Sequence, residues 1–168
     1  MPAPETTPTC LYSTLTLDEQ LCFALHASAS AITGVYMETL DAHGLSYRQY
    51  LVLICLLETD GLRIDTLARR LSLHPGTLAT IVAEMEAAEM VTRHGAGARG
   101  TPETVWLTPR GRASRAVALE ARQVVMARLG MSDADIGALR ATLVEITNRL
   151  RYNTPAVTPP ETVEAPLA

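Results

Sequence analysis

The chain has 168 residues, 48% hydrophobic and 4% aromatic, with 14 basic residues (all arginine), 18 acids and a net charge of −4. That length suits one compact domain with some tail, and the small-aliphatic bias favours packed helices over a sheet sandwich. No apolar run is long enough for a bilayer, no signal-peptide pattern is seen at the N-terminus, and the three cysteines lack C-x-x-C or Cys/His metal spacing, so a soluble, cytoplasmic protein with reduced thiols is expected.

Residues 1–15 hold Pro2, Pro4 and Pro8 among threonines and are expected to be a flexible arm. Thr16-Leu17-Asp18-Glu19 has the T-x-x-E form of a capping box, which predicts a helix to about Ala42. Leu21, Leu25, Ala29, Ile32 and Tyr36 give it one apolar face, Cys22 falls in its second turn, and Gly44 stops it. Ser46-Tyr47-Arg48-Gln49 is a second capping box. It opens YRQYLVLICLLE, apolar all round at its centre and so expected in the core, with Cys55 as an inert core thiol.

Ile64, Leu67, Ala68 and Leu71 recur at i, i+3, i+4, i+7, as do Leu78, Ile81, Val82 and Met85. Ser72-Leu73-His74-Pro75 joins the two sets, with Pro75 suited to a first helical position. A strand at Val91–His94 is expected to pair with Glu103–Thr108 around a loop containing Gly95, Gly97, Gly100 and Pro102. Thr108-Pro109 starts a helix reaching about Leu129, and Gly130 ends it. Ser132-Asp133-Ala134-Asp135 caps a last helix with a stripe of Ile136, Leu139, Leu143, Ile146 and Leu150. Residues 153–168 carry four prolines and no periodicity, which predicts a disordered tail. The fold class is mainly α, a winged helix-turn-helix, with residues 16–152 as one domain and 46–108 as its winged-helix module.

A winged helix-turn-helix is a shape for duplex DNA, whose major groove admits a helix and displays the full donor and acceptor code. The second helix of the pair is the reader, with His74, Gly76, Thr77, Ala79, Thr80 and Ala83 opposite the apolar stripe. Arg69, Arg70, Arg93, Arg99 and Arg110 are candidates for phosphate, and Arg99, at a loop tip, also for the minor groove. Charge distribution agrees: residues 62–115 hold eight arginines against five acids, a local +3, while the remainder carries −7. The plainer reading is a surface of ordinary polar residues, and Glu84, Glu86 and Glu89 weigh against very tight phosphate binding.

LxxRLxLxxGTLxxxxxxxEAAxxVTR, followed by a wing and LTxxG, resembles the MarR family of bacterial transcriptional regulators. LDEQLCFALHAS, GLSYRQYLVL and LETDGL are similar to the organic-hydroperoxide-sensing OhrR branch, and the resemblance covers about residues 16–151. It implies a homodimeric repressor of double-stranded DNA, not an enzyme, with residues 16–45 and 109–152 as dimerisation helices and organic hydroperoxide as inducer. The branch's reactive cysteine falls on Cys22 and the two tyrosines that hold its thiolate on Tyr36 and Tyr47. A third tyrosine of the branch is His26 here. A second cysteine expected near the end of the fifth helix is absent, with Ala127 and Met131 in that region. The Asp-x-Arg signature of the wing is replaced by Gly95-Ala96-Gly97-Ala98-Arg99-Gly100.

Peroxide reacts with a thiolate rather than a thiol, and a helix N-terminus and phenol donors both favour the thiolate. Cys22 and Tyr36 are fourteen residues apart on one helix, roughly 21 Å, too far to touch. A tyrosine that serves the sulfur must therefore come from a partner chain, so the sensing reading requires a dimer. The alternatives are a buried structural Cys22 and tyrosines that only pack the dimer. Cys10 is either a resolving thiol or a spare residue; without it, a low-molecular-weight thiol must resolve the sulfenate. His26, His43, His74 and His94 do not form a metal set, and no cofactor is expected. Competing functions are a repressor controlled by a small aromatic or phenolic ligand in a cleft between dimer helices and wing domain, a thiol peroxidase, and a winged helix that binds only proteins.

Overall fold

The computed structural model describes residues 16–95 and 102–152. These form two compact units, divided between Arg128 and Leu129. The first holds α1 (Leu21–Leu40), α2 (Tyr47–Glu58), β1 (Leu62–Arg63), α3 (Ile64–Leu71), α4 (Pro75–Ala87), β2 (Val91–His94), β3 (Thr104–Leu107), α5 (Pro109–Ala113) and nearly all of α6 (Arg115–Leu129); the second holds α7 (Asp133–Tyr152). The mainly helical winged-helix fold expected from the pattern is the fold observed.

Local chemistry accounts for most boundaries. Gly44, at φ +66, terminates the single 3-10 turn Asp41–His43 that follows α1, where a glycine avoids the Cβ penalty of the left-handed region. The α2 capping box forms as read: the Ser46 hydroxyl accepts the Gln49 N–H at 3.3 Å and the Ser46 N–H donates to Gln49 Oε1 at 3.0 Å. Thr108 caps α5 by accepting the Gly111 N–H at 3.0 Å. Ser132 accepts the Asp135 N–H at 3.2 Å ahead of α7.

Three expectations fail. The Thr16–Glu19 segment makes a turn instead of a capping box, and α1 begins after Gln20, which offers no side-chain cap. Gln20 instead donates its side-chain amide to the Thr16 carbonyl. Cys22 therefore lies in the first turn of α1, not the second. The segment from Pro109 to Leu129 breaks at Ser114 into α5 and α6. A strand the pattern did not reveal, β1, adds to the hairpin.

The sheet order is β1-β3-β2, all antiparallel, with Val91 opposite Leu107 and Leu62 opposite Val105. Val91, Val105 and Leu107 face inward and are buried. They meet Leu78, Ile81, Val82 and Met85 of α4, Leu67 and Ala68 of α3, and Val52, Leu53, Cys55 and Leu56 of α2 in one cluster. Leu40 at the end of α1 and Ala118 and Ala121 on α6 belong to the same core. Every residue from 21 to 31 of α1 is exposed, and so are Leu139, Val144 and Leu150 of α7. No helix among the described residues is long and apolar enough to cross a membrane.

Candidate functional site

The turn between α3 and α4 is built by two side chains and one backbone twist. Ser72 takes the left-handed conformation at φ 55, and its N–H and that of Leu73 return to the Ala68 carbonyl, closing α3. His74 then caps α4: its Nδ1 accepts the Gly76 N–H at 3.2 Å, and Pro75 occupies the first helical position. Leu78, Ile81, Val82 and Met85 anchor the inner face of α4. His74, Gly76, Ala79, Thr80 and Ala83 are exposed and Thr77 is half-buried. Gly76, Ala79, Thr80 and Ala83 follow the i, i+3, i+4, i+7 rule, so they lie on a single outward face. Thr80 donates its hydroxyl to the Gly76 carbonyl at 3.3 Å, leaving its lone pairs outward.

The arginines divide by partner. Arg69 donates to Thr66 and has no acid partner among the described residues. Arg70 pairs with Glu58 at 2.5 Å and Arg110 with Glu89 at 3.7 Å, both well exposed; exposed pairs of this kind contribute ~0–1 kcal/mol and exchange readily. Arg93 is held by Glu86 at 2.6 Å and Glu103 at 3.2 Å, which ties β2 to α4 and to the approach to β3. Glu86 sits below the ordinary glutamate range because Arg93 bonds it. Arg99 lies outside the described residues, as does Cys10.

A second constellation lies at the start of α2. The Tyr36 and Tyr47 rings are 5.3 Å apart, and Tyr50, which the pattern did not single out, packs against both at 4.9 and 5.8 Å. Its signal was available: Tyr50 is one turn after Tyr47. The Tyr50 phenol is pushed far above the usual tyrosine range by burial and by its hydrogen bond to Tyr36, and burial also raises Tyr47. Cys22 is exposed at the opposite end of α1 from Tyr36, and His26 is exposed one turn beyond it. The chain thus brings the tyrosines together and keeps its own Cys22 apart from them. Cys55 is buried, and burial pushes its thiol upward, toward the unreactive form. Among the described residues no group of three or more His, Cys, Asp or Glu is placed to hold a metal.

The helix pair, its sheet and the wing strands lie in the segment that the MarR family model matches, residues 45–94, or directly beyond it. Over that segment the chain is similar to the MarR family. It is 41% identical over 100 residues to the HTH-type transcriptional regulator TtmR of Methylorubrum extorquens, covering 57% of this chain and 49% of that protein, so it spans about half the length of that relative. It is 28% identical over 134 residues to the organic hydroperoxide resistance transcriptional regulator of Bacillus subtilis, covering 80% of this chain and 91% of that protein. The fold is similar to the structure of reduced AbfR bound to DNA, from Staphylococcus epidermidis, with a TM-score of 0.69 at 23% identity over 82% of this chain and 94% of that one. MarR-family proteins are DNA-binding transcriptional regulators rather than enzymes.

Proposed function

We propose that this MarR-type regulator is a homodimeric repressor that binds double-stranded DNA and releases it when organic hydroperoxide oxidises Cys22. The observation that carries the reading is the separation of Cys22 from the Tyr36, Tyr47 and Tyr50 cluster along and beyond one helix. A second copy running antiparallel to α1 supplies to each sulfur the phenols that its own chain cannot. The exposed Leu21, Phe23 and Leu25 of α1 are the apolar surface that such a partner covers. Similarity to the Bacillus subtilis regulator over four-fifths of the chain supports the same class of inducer. Reading falls to His74, Gly76, Thr77, Ala79, Thr80 and Ala83, with Arg69, Arg70 and Arg110 on phosphate. Arg93 holds the hairpin in place.

The chemistry balances without a cofactor. The Cys22 thiolate attacks the terminal peroxide oxygen, the O–O bond breaks, and the alkoxide takes a proton and leaves as an alcohol. The sulfenic acid that remains condenses with a low-molecular-weight thiol, expelling water and forming a mixed disulfide. The added bulk displaces the partner's tyrosines and shifts the two reading helices out of register with successive major grooves. A mobility shift on DNA from the protein's own promoter region tests this: cumene hydroperoxide together with a low-molecular-weight thiol releases wild type, mass spectrometry places the mixed disulfide on Cys22, and Cys22→Ser binds but does not respond. A Cys22→Ser protein that responds like wild type overturns the redox mechanism.

A second reading has its own support. Ile54, Leu57, Ala118 and Leu119 line a cavity of about 230 Å³ edged by Arg115, Arg122 and Glu58, a chemistry suited to a small aromatic or phenolic anion. Release of DNA by such a ligand under strictly reducing conditions favours this reading over the first.

A further inference from the structure

The first turn of α2 is joined to the reading helix by one side chain. Gln49 spends its Oε1 on the Ser46 N–H, closing the α2 capping box, and donates its Nε2 to Glu84 Oε2 at 3.3 Å on α4. Tyr47 lies between the two capping residues, and Tyr50 follows Gln49 directly. The two ends of the carboxamide are thus committed to different helices, and the amide is planar. A rotation of the first turn of α2 cannot keep both bonds. Glu84 is one turn beyond Thr80 on the helix that carries the reading face, so the bond sits where a small shift of α2 moves that face.

We infer that Gln49 is a positioning residue that passes the state of the tyrosine cluster to α4 through Glu84. The inference rests on the redox reading above and goes beyond it by naming the connection. When oxidation displaces Tyr47, the Ser46–Gln49 turn moves with it, the amide gives up its hold on Glu84, and α4 loses its registration to α2. In this role Gln49 acts through Glu84. Its effect lies in the ratio of DNA affinities between the reduced and oxidised protein.

The test uses four full-length proteins: wild type, Gln49→Glu, Glu84→Gln and the double variant. Gln49→Glu keeps a capping-box acceptor for the Ser46 N–H, but it replaces the donor to Glu84 with a like charge. In the double variant the amide on α4 donates to the carboxylate on α2, so the bond returns with reversed polarity. Affinity for a promoter-region duplex is measured by fluorescence anisotropy before and after cumene hydroperoxide together with a low-molecular-weight thiol, with thermal melts to show that each protein is folded. The expected result is a fall in the reduced-to-oxidised affinity ratio for Gln49→Glu of roughly 2- to 30-fold, the span over which coupling residues act. Glu84→Gln stays near wild type because amide-to-amide bonding survives, and the double variant recovers the wild-type ratio. If wild type responds to peroxide and all four ratios agree within about twofold, the inference fails while the redox reading stands. A loss in Gln49→Glu that the double variant does not recover also overturns it, since that marks a merely structural effect. A wild type that ignores peroxide removes the redox reading and this inference together.

Discussion

Gly111→Ala is expected to unlock the base of the wing. A Cβ built on Gly111 lies 2.1 Å from the Met90 carbonyl oxygen and 3.1 Å from Leu107 Cδ2, whereas real Cβ contacts do not fall below 3.0 Å. The Met90 oxygen belongs to backbone that cannot swing away as a side-chain tip can. It also accepts the Thr108 N–H and the Thr108 hydroxyl, each at 3.1 Å. Relieving the clash separates α5 from the Met90 backbone and weakens both bonds, at about 1 kcal/mol each. Overpacking adds about 1–3 kcal/mol. Alanine's better helix propensity returns about 1 kcal/mol, leaving a net loss of about 2–4 kcal/mol against a typical domain stability of about 5–15 kcal/mol. Urea denaturation followed by circular dichroism at one fixed protomer concentration measures it. With a slope of about 2 kcal/mol/M, the midpoint falls by about 1–2 M at unchanged slope. A loss under about 1 kcal/mol refutes the reasoning, because it means that the wing base gives way without resistance.

Three further outcomes follow from the same geometry. His74→Ala removes the side-chain cap of α4 and lowers stability by about 1 kcal/mol, while His74→Asn, which keeps an acceptor, recovers most of it; equal melts for all three proteins count against the cap. Glu86 titrates below its unfolded value because Arg93 bonds it. Its stabilising contribution is therefore present above the pH where an unfolded glutamate titrates and fades as the pH drops through the lowered folded value. Denaturation at pH 7 and pH 3 should show a smaller acid-side loss for Glu86→Gln than for wild type, and parallel losses contradict the pairing. Iodoacetamide with peptide mass spectrometry should label Cys22 in the folded protein and Cys55 only after unfolding, since Cys22 is exposed and Cys55 is buried; native-state labelling of Cys55 at the rate of Cys22 contradicts the placement.

Much of the fold was legible because its signals are local. The apolar spacing at Ile64–Leu71 and Leu78–Met85, the proline of Pro75, the Ser46 capping box and the Thr108-Pro109 start each act within one or two turns, and each forms as read. The capping box at Thr16 failed for the complementary reason. A T-x-x-E pattern is permissive, and here Gln20 folds back on the Thr16 carbonyl and moves the helix start past it. The break at Ser114 was hidden because alanines and arginines on both sides suit a helix equally well.

The order of residues by itself determined where the helices lie, which face of each is apolar, and which residues of α4 look outward, because periodicity and caps depend only on neighbours along the chain. Tertiary structure alone decided which groups far apart in sequence meet. Asp60 accepts the Leu107 N–H at 2.9 Å and pairs with Arg112, Arg93 is shared between Glu86 and Glu103, Gln49 reaches Glu84, and Tyr50 joins Tyr36 and Tyr47. Apart from Tyr47 and Tyr50, one turn apart on α2, none of these pairings has a local signature. Each exists because burial of one apolar core brings α2, α4 and the wing strands together and leaves their polar side chains only those partners within reach.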